Sequence, residues 1–510
     1  PMMAKASTKM VMLGAIMACG LGLGVNIATP DAGAAQGSKI TVSQVSDVLT
    51  LDPTVDSSAI GINVFLNVYD QLTDIRADGS VGPLLAESWE SSDEQKTWVF
   101  KVRSDVKFHD GTPLTIDDII WTYKKIMADP KSPVRPYLSE VRSIEKRDGN
   151  RIEFKLASPF VTFDRQVTLV SIVPQKGYEA MGGQQFSLTP IGSGPFRVKR
   201  WTKDSALELD AFAEYWGGKP TVDQVVVRPV PSEASRAAAL VSGELDIVPV
   251  LPPSLVDALA NKPGVKIMRV RANRAVYGGI NVNNPVLANV KLRQAINHAI
   301  DRDAIVTKLL RGAGVPLGQI AAPVLFGYDP NLKPPAYDVG LAKKLLDEAG
   351  YKGEKILFQY PNNRWAFADQ VAQAVGNYLK VAGLNVELQP MEFSAFFPLW
   401  TGDKLSALYM FSLGITIMDA DLILNLEYES GVSHGYWKSA EVDALAKQQR
   451  ASADPEKRKE ILAKIWKLSQ EAAPYFPLYS EIQAYGVRDG VSWTPRPDER
   501  LKFKDASVKR

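Results

Sequence analysis

Few residues in this 510-residue sequence have both the type and the spacing to do chemistry. His109 stands beside Asp110 in Phe108-His109-Asp110-Gly111, a pairing that in the right geometry supports general acid–base catalysis. Neighbouring residues on an extended chain face different ways, so these two do not share a proton path. Asp110-Gly111 ahead of Pro113 reads instead as a turn. Gly192-Ser193-Gly194-Pro195 has the glycine density of a phosphate loop but neither the lysine nor the following helix of one. Pro195 also argues against a nucleophile elbow at Ser193, which leaves a tight backbone turn. The three histidines and the single cysteine, Cys19, are far apart, against a zinc site or a Cys-His nucleophile. His298 reads as a packed helix residue, and no cofactor or metal is expected. Binding chemistry is better represented. Asn362-Asn363-Arg364-Trp365 follows an expected strand, where open α/β sheets place ligand groups. Arg364 there either grips a carboxylate or phosphate bidentately or lies on the surface. Trp365, Trp400, Tyr409, Phe411 and Trp437 offer flat faces suited to sugar rings and peptide side chains, or else belong to the core.

The elements that would position these residues alternate between strand and helix patterns, which indicates an α/β architecture. Lys39–Val45, Trp98–Val102 and Ile152–Leu156 show period-two apolar alternation and are expected strands. Thr115 with Asp118 forms a capping box that opens a helix through about Ile126. Val290–Leu310 carries apolar residues at helical spacing, and Val339–Ala349 is a helix stopped by Gly350. Lys355–Tyr360, Ala366–Ala382 and Val386–Leu388 compose a β-α-β unit with parallel strands expected. Asp454-Pro455 starts a helix that runs to about Ala473. No flexible linker divides the chain. The expected seams are Arg271–Asn284 and Ser480–Val487; if both cross between lobes they make a hinge, and a hinge implies a cleft.

Composition restricts the classes of function. Formal net charge is +2, with 45% hydrophobic and 23% charged residues, which gives no electrostatic reason to expect nucleic acid as a partner. Lys5 and Lys9, the apolar run Met10–Ala18, and small residues at Ala32–Ala35 have the order of a secretory signal peptide over residues 1–35. A second reading makes Cys19 the acylated residue of a lipoprotein box; both lead to the periplasm or cell surface. Removal of the leader would take Cys19 with it and suit an oxidising compartment without disulfides.

Seven segments, taken in order from about residue 40 to residue 485, resemble the peptide/nickel-type extracellular solute-binding proteins (family 5) that feed ATP-driven importers. They are Leu51-Asp52-Pro53 with Asn67–Leu72, Pro83–Trp89, Trp98–Asp118 with its Phe108-His109-Asp110-Gly111-Thr112-Pro113, Gly192–Phe196, Leu292–Arg302, and Ala342–Tyr351. The resemblance implies a two-lobe periplasmic-binding-protein (Venus-flytrap) fold with mixed sheets and a two-strand hinge. Lobe I would comprise residues 36–275 and 486–510, with an extra subdomain near 89–189, and lobe II residues 276–485. It further implies a monomer without enzymatic activity, which captures a peptide or other small molecule and hands it to the membrane subunits of an ABC permease. Leu49, Thr50 and Asn67 fall where such proteins line the cleft. Peptide-binding members carry Gly-Trp-x-x-Asp-x-x-Asp-Pro, whose first aspartate pairs with the peptide ammonium. Matched from Gly414, that aspartate falls on Met418 and the tryptophan on Ile415, with Thr416 between them. Either Asp419 takes over the ammonium, or the ligand is an oligosaccharide, an opine-like sugar conjugate or another neutral or acidic solute without a free amine there; alternatively Ile415, Ile417 and Met418 are simply core. A secreted hydrolase and a periplasmic sensor or chaperone are the alternatives from other classes.

Overall fold

The computed structural model describes residues 37–509. The expected leader and Cys19 lie outside the described residues. The chain from Ser38 onward is built on an 11-stranded mixed sheet. One half of that sheet consists of Lys39–Gln44, Phe196–Thr202, Ala206–Ala211, Gln224–Pro229 and Ile247–Val248. The other half consists of Leu408–Gly414, Ile356–Pro361 and Val386–Met391, mutually parallel. Two long antiparallel strands, Val265–Ile280 and Tyr475–Arg488, run through both halves and join them, and short Gly314–Pro316 pairs with the second of these. Their pairing breaks between Arg271 and Ala275, where four steps on one strand oppose two on the other. Such an irregularity bends a strand and re-aims its side chains. Here it lets Asn273 donate to the Ile415 carbonyl (2.9 Å) and aims Arg274 at Glu499 in the C-terminal tail.

Leu408–Gly414 explains the layering of the second half. Leu408 and Met410 join a core with Phe358, Ala372 and Ile296 on one face of the sheet, while Tyr409, Phe411 and Leu413 join Trp466, Tyr428 and Phe396 on the other. A strand covered on both faces needs apolar residues at nearly every position, and this one has them. The expected β-α-β unit is present, with Ile356–Pro361 and Val386–Met391 parallel and helix Ala368–Val381 between them. A separate four-stranded antiparallel sheet (Ala86–Ser92, Thr97–Val102, Arg151–Leu156, Val141–Arg147) packs against helix Ile116–Ala128 around Phe100, Phe154 and Phe163. That helix carries the full capping box between Thr115 and Asp118.

One expected element is different. Val290–Leu310 is not one helix; it stops at Ala299, passes through extended Ile300, and restarts at Arg302 under an Asp301 cap. Buried Arg302 accounts for the break, because its guanidinium donates to the Asn297 carbonyl (3.0 Å), the Asn297 side chain (2.8 Å) and the Pro477 carbonyl (2.5 Å). Those charge-assisted bonds outweigh one more turn of regular helix.

Candidate ligand-binding cleft

A cavity of about 840 Å³ opens where the two joining strands pass between the halves. Small-molecule sites commonly measure about 300–1,000 Å³. Val250, Leu251 and Val256 approach from the first half, and Trp365, Phe393, Phe397, Trp400 and Phe411 form an aromatic wall on the second. The wall is held by its own packing: Trp400 lies 5.0 Å from Phe411 and 5.8 Å from Phe397, ring centre to ring centre. Arg364 stacks its guanidinium over Phe393 at 3.9 Å, a cation–π contact that fixes its orientation.

The floor comes from alternate residues of the joining strands, which share a face. Tyr479, Glu481 and Gln483 lie on one, and Arg274 lies on its partner. Ser412 and Gly414 extend that face across the next strand, since Val276 pairs with both Ser412 and Tyr479, and Arg274 with Gly414. Arg274 forms a bidentate pair with Glu499 (2.6 and 3.1 Å). Burial pulls its guanidinium down, but Glu499 outweighs this and holds it above its ordinary value. The Gln483 amide bridges Glu499 (2.7 Å) and Glu481 (3.2 Å). Burial pushes the Glu481 carboxyl up, against the pull of Arg274 and with the push of Glu499. Arg311 and Asp257 form a second, exposed ion pair at the cavity.

Five side chains of this cavity have a buried polar atom with no hydrogen-bond partner: Trp365 Nε1, Trp400 Nε1, Ser412 Oγ, Tyr479 Oη and Glu481 Oε1. Buried polar groups are ordinarily paired, so five converging on one cavity mark it as built for a partner from outside the chain.

A family model described as bacterial extracellular solute-binding proteins, family 5 Middle, matches residues 80–435. The chain belongs to this family. The dipeptide-binding protein of Escherichia coli (strain K12) is 28% identical over 500 residues, covering 86% of this chain and 89% of that protein. Among solved structures, HbpA2 from Haemophilus parasuis superposes with a TM-score of 0.84 at 23% identity, covering 92% of this chain and all of that one. AgaA from A. tumefaciens R10, in complex with agropinic acid, gives a TM-score of 0.75 at 25% identity over 92% of this chain and 99% of that one.

Within this family 5 chain the expected site residues divide. Arg364, Trp365, Trp400 and Phe411 are brought together at the cavity. The others lie elsewhere. Leu49 is 82% exposed on a loop, and the Thr50 hydroxyl accepts from the Asp52 amide in the same turn. Asn67 is buried and ties the C-terminal tail to the first half, donating to the Leu501 carbonyl (2.7 Å) and accepting from the Phe503 amide (3.1 Å). Tyr409 is fully buried against Gly279, where any Cβ would sit about 2 Å from its ring. Trp437 packs edge-on against Tyr428 in the core. Thr416 is exposed and only its carbonyl is engaged, accepting from Arg500 (3.4 Å).

The segment expected to hold an ammonium group is a structural clasp instead. Met418 is buried, in left-handed backbone (φ 57°), beneath Gly79. Asp419 is completely buried and bidentate to Arg458 (2.9 and 2.8 Å), with Arg165 at 3.7 Å. Burial raises its carboxyl, but the two guanidinium groups override that and hold it below the ordinary range. Arg165 also donates to the carbonyls of Gly79 (2.7 Å) and Ile417 (2.9 Å). Asp421 receives Arg450 (2.8 Å) and the Thr162 hydroxyl (3.2 Å). Neither carboxylate is free for a ligand.

Sequence reasoning missed Arg274, Ser412, Tyr479, Glu481, Gln483 and Glu499. A signal existed for two of them: Glu481 and Gln483 alternate polar atoms along Ser480–Val487, a segment already expected to cross between lobes, and Tyr479 lies one residue before it. Arg274 and Glu499 are 225 residues apart, and no local pattern pairs them.

Proposed function

We propose that this chain is the solute-capturing component of an ATP-driven importer. It takes a peptide-like or other small organic solute into the 840 Å³ cavity and passes it unchanged to membrane permease subunits. The single observation that carries this reading is the convergence of five unpartnered polar atoms on a cavity walled from both sides of a two-strand joint. In this reading lobe I spans residues 36–275 and 486–510, lobe II spans 276–485, and residues 1–35 direct export to the periplasm. The protein works as a monomer and changes no bond in its guest. That the dipeptide-binding relative spans most of the chain supports a peptide-like guest. A second reading, an opine or sugar conjugate, draws on the burial of Met418 and the engagement of Asp419, which remove the expected ammonium anchor, and on AgaA, whose structure holds agropinic acid.

Domain closure tests the proposal. Small-angle scattering of the purified protein is expected to show a smaller radius of gyration with a ligand found by thermal-shift screening. A ligand that raises the melting temperature and leaves the radius unchanged, or that is chemically converted, would overturn it.

A further inference from the structure

We propose that Glu481 receives a ligand's cationic amine and Arg364 its carboxylate, so that the cleft selects a solute bearing both charges. The inference deepens the reading of the chain as a solute-capturing protein and rests on it.

The charge count at the floor is uneven. Glu481 and Glu499 stand beside one guanidinium, Arg274, and that guanidinium already makes two bonds to Glu499. Glu481 is left with one oxygen on Gln483 and the other, Oε1, out of contact with solvent and without a partner. A buried carboxylate oxygen in that condition is costly unless a cation comes to it. Tyr479 Oη and Ser412 Oγ, on the same face of the sheet with the strand of Val276 between them, are also without partners. A primary ammonium group brings three N–H donors, as many as the unpartnered oxygens this face offers, and the secondary ammonium of a sugar conjugate brings two.

The aromatic wall has the opposite character. Arg364 makes no ion pair among the described residues, and Phe393 holds its guanidinium in place. The indole N–H of Trp400 adds a donor without an acceptor, and that of Trp365, which faces the Tyr479 hydroxyl without closing a well-formed bond, adds another. Three donor side chains on an apolar wall match a carboxylate, which accepts through both oxygens. A neutral sugar would satisfy the indoles but leave Glu481 uncompensated. The amine has therefore moved from the segment after Gly414, where its expected anchor is bound to Arg458, to the strand that joins the halves.

Peptides and amino acid–sugar conjugates both carry an amine and a carboxylate, and calorimetry with matched probes separates them. The probes are trialanine, N-acetyl-trialanine, N-(1-deoxyfructosyl)glutamate and the neutral sugar cellobiose. Wild-type protein is expected to bind trialanine or the sugar conjugate, whichever is its class of guest. Glu481→Gln should weaken that probe by roughly 30-fold, the scale of one lost charge-assisted contact. If trialanine is the guest, N-acetylation should weaken the wild type equally, with no further loss from Glu481→Gln. Arg364→Gln should weaken either charged probe by a similar factor. Because Glu481→Gln removes an unpartnered buried charge, the unliganded variant should melt no lower than wild type, which excludes misfolding as the cause. A Glu481→Gln variant that binds the amine probe as tightly as wild type, or that loses free and acetylated peptide alike, overturns the inference and leaves the function standing. So does a wild type that closes on cellobiose alone. A wild type that binds none of the four overturns the inference, and the function is then decided by the scattering test.

Discussion

Glu427 illustrates what burial does to a single group in this chain. It accepts hydrogen bonds from the hydroxyls of Tyr277 and Tyr475, the latter at 2.9 Å. Burial pushes its carboxyl up to about 7, and the tyrosine bonds only hold back the rise. A carboxyl whose folded pKa lies above its unfolded one keeps its proton longer in the native state, so stability falls as pH rises. Stability in urea should therefore decline between about pH 4.5 and 7 by up to roughly 3 kcal/mol from this group, at about 1.36 kcal/mol per unit. Glu427→Gln should flatten that decline; an unchanged slope would show that the proton is not held there. His109 shows the converse. Its Nδ1 accepts from the Gly192 amide (3.2 Å) and its Nε2–H donates to the Gly194 carbonyl (2.9 Å), so the neutral ring joins two loops. Burial lowers its pKa to about 4, which fits the reading of this motif as architecture and not catalysis.

At the scale of elements, the turn Gly192–Pro195 was legible as a turn, but not why it must be glycine. A Cβ on Gly192 would lie 2.0 Å from the Val68 carbonyl oxygen, and backbone cannot yield as a flexible side chain can. Gly192→Ala is expected to cost about 3 kcal/mol in urea unfolding, the upper part of the range for overpacking. A cost below 1 kcal/mol would mean that the helix end at Val68 gives way. Helix boundaries set by local caps, such as Thr115 and Asp454, were readable because the capping residue is adjacent in sequence to the helix it starts. The break at Ile300 was not, because it depends on Arg302 reaching the carbonyl of Pro477, 175 residues away.

At the scale of the whole molecule, the clasp around Asp419 joins the four-stranded subdomain to the second half of the sheet. Thr162 and Arg165 contribute from one side, and Asp419, Asp421 and Arg458 from the other. Asp419→Asn would leave Arg458 buried with only part of its partner, and breaking such a pair typically costs about 3–5 kcal/mol. The expected result is a loss of that order in urea unfolding together with a larger unliganded radius in scattering. A loss of stability without a change in radius would make the ion pair local to the second half and not a clasp between the two.

The capped helix starts, the tight turns and the β-α-β unit are carried by neighbouring residues, so hydrophobic period and turn chemistry were enough to read them, while the family resemblance was carried by ordered motifs. The same holds for Arg364 and Trp365, which follow a strand. The charge pattern of the cleft is different. Arg274 and Glu481 meet because two long strands pair in one register with two irregularities, and Glu499 reaches them from the C-terminal tail; a shift of one residue would turn the strand side chains to the other face. Asp419 could be named as an anchor from its motif, but only packing decides that Arg458 reaches it first.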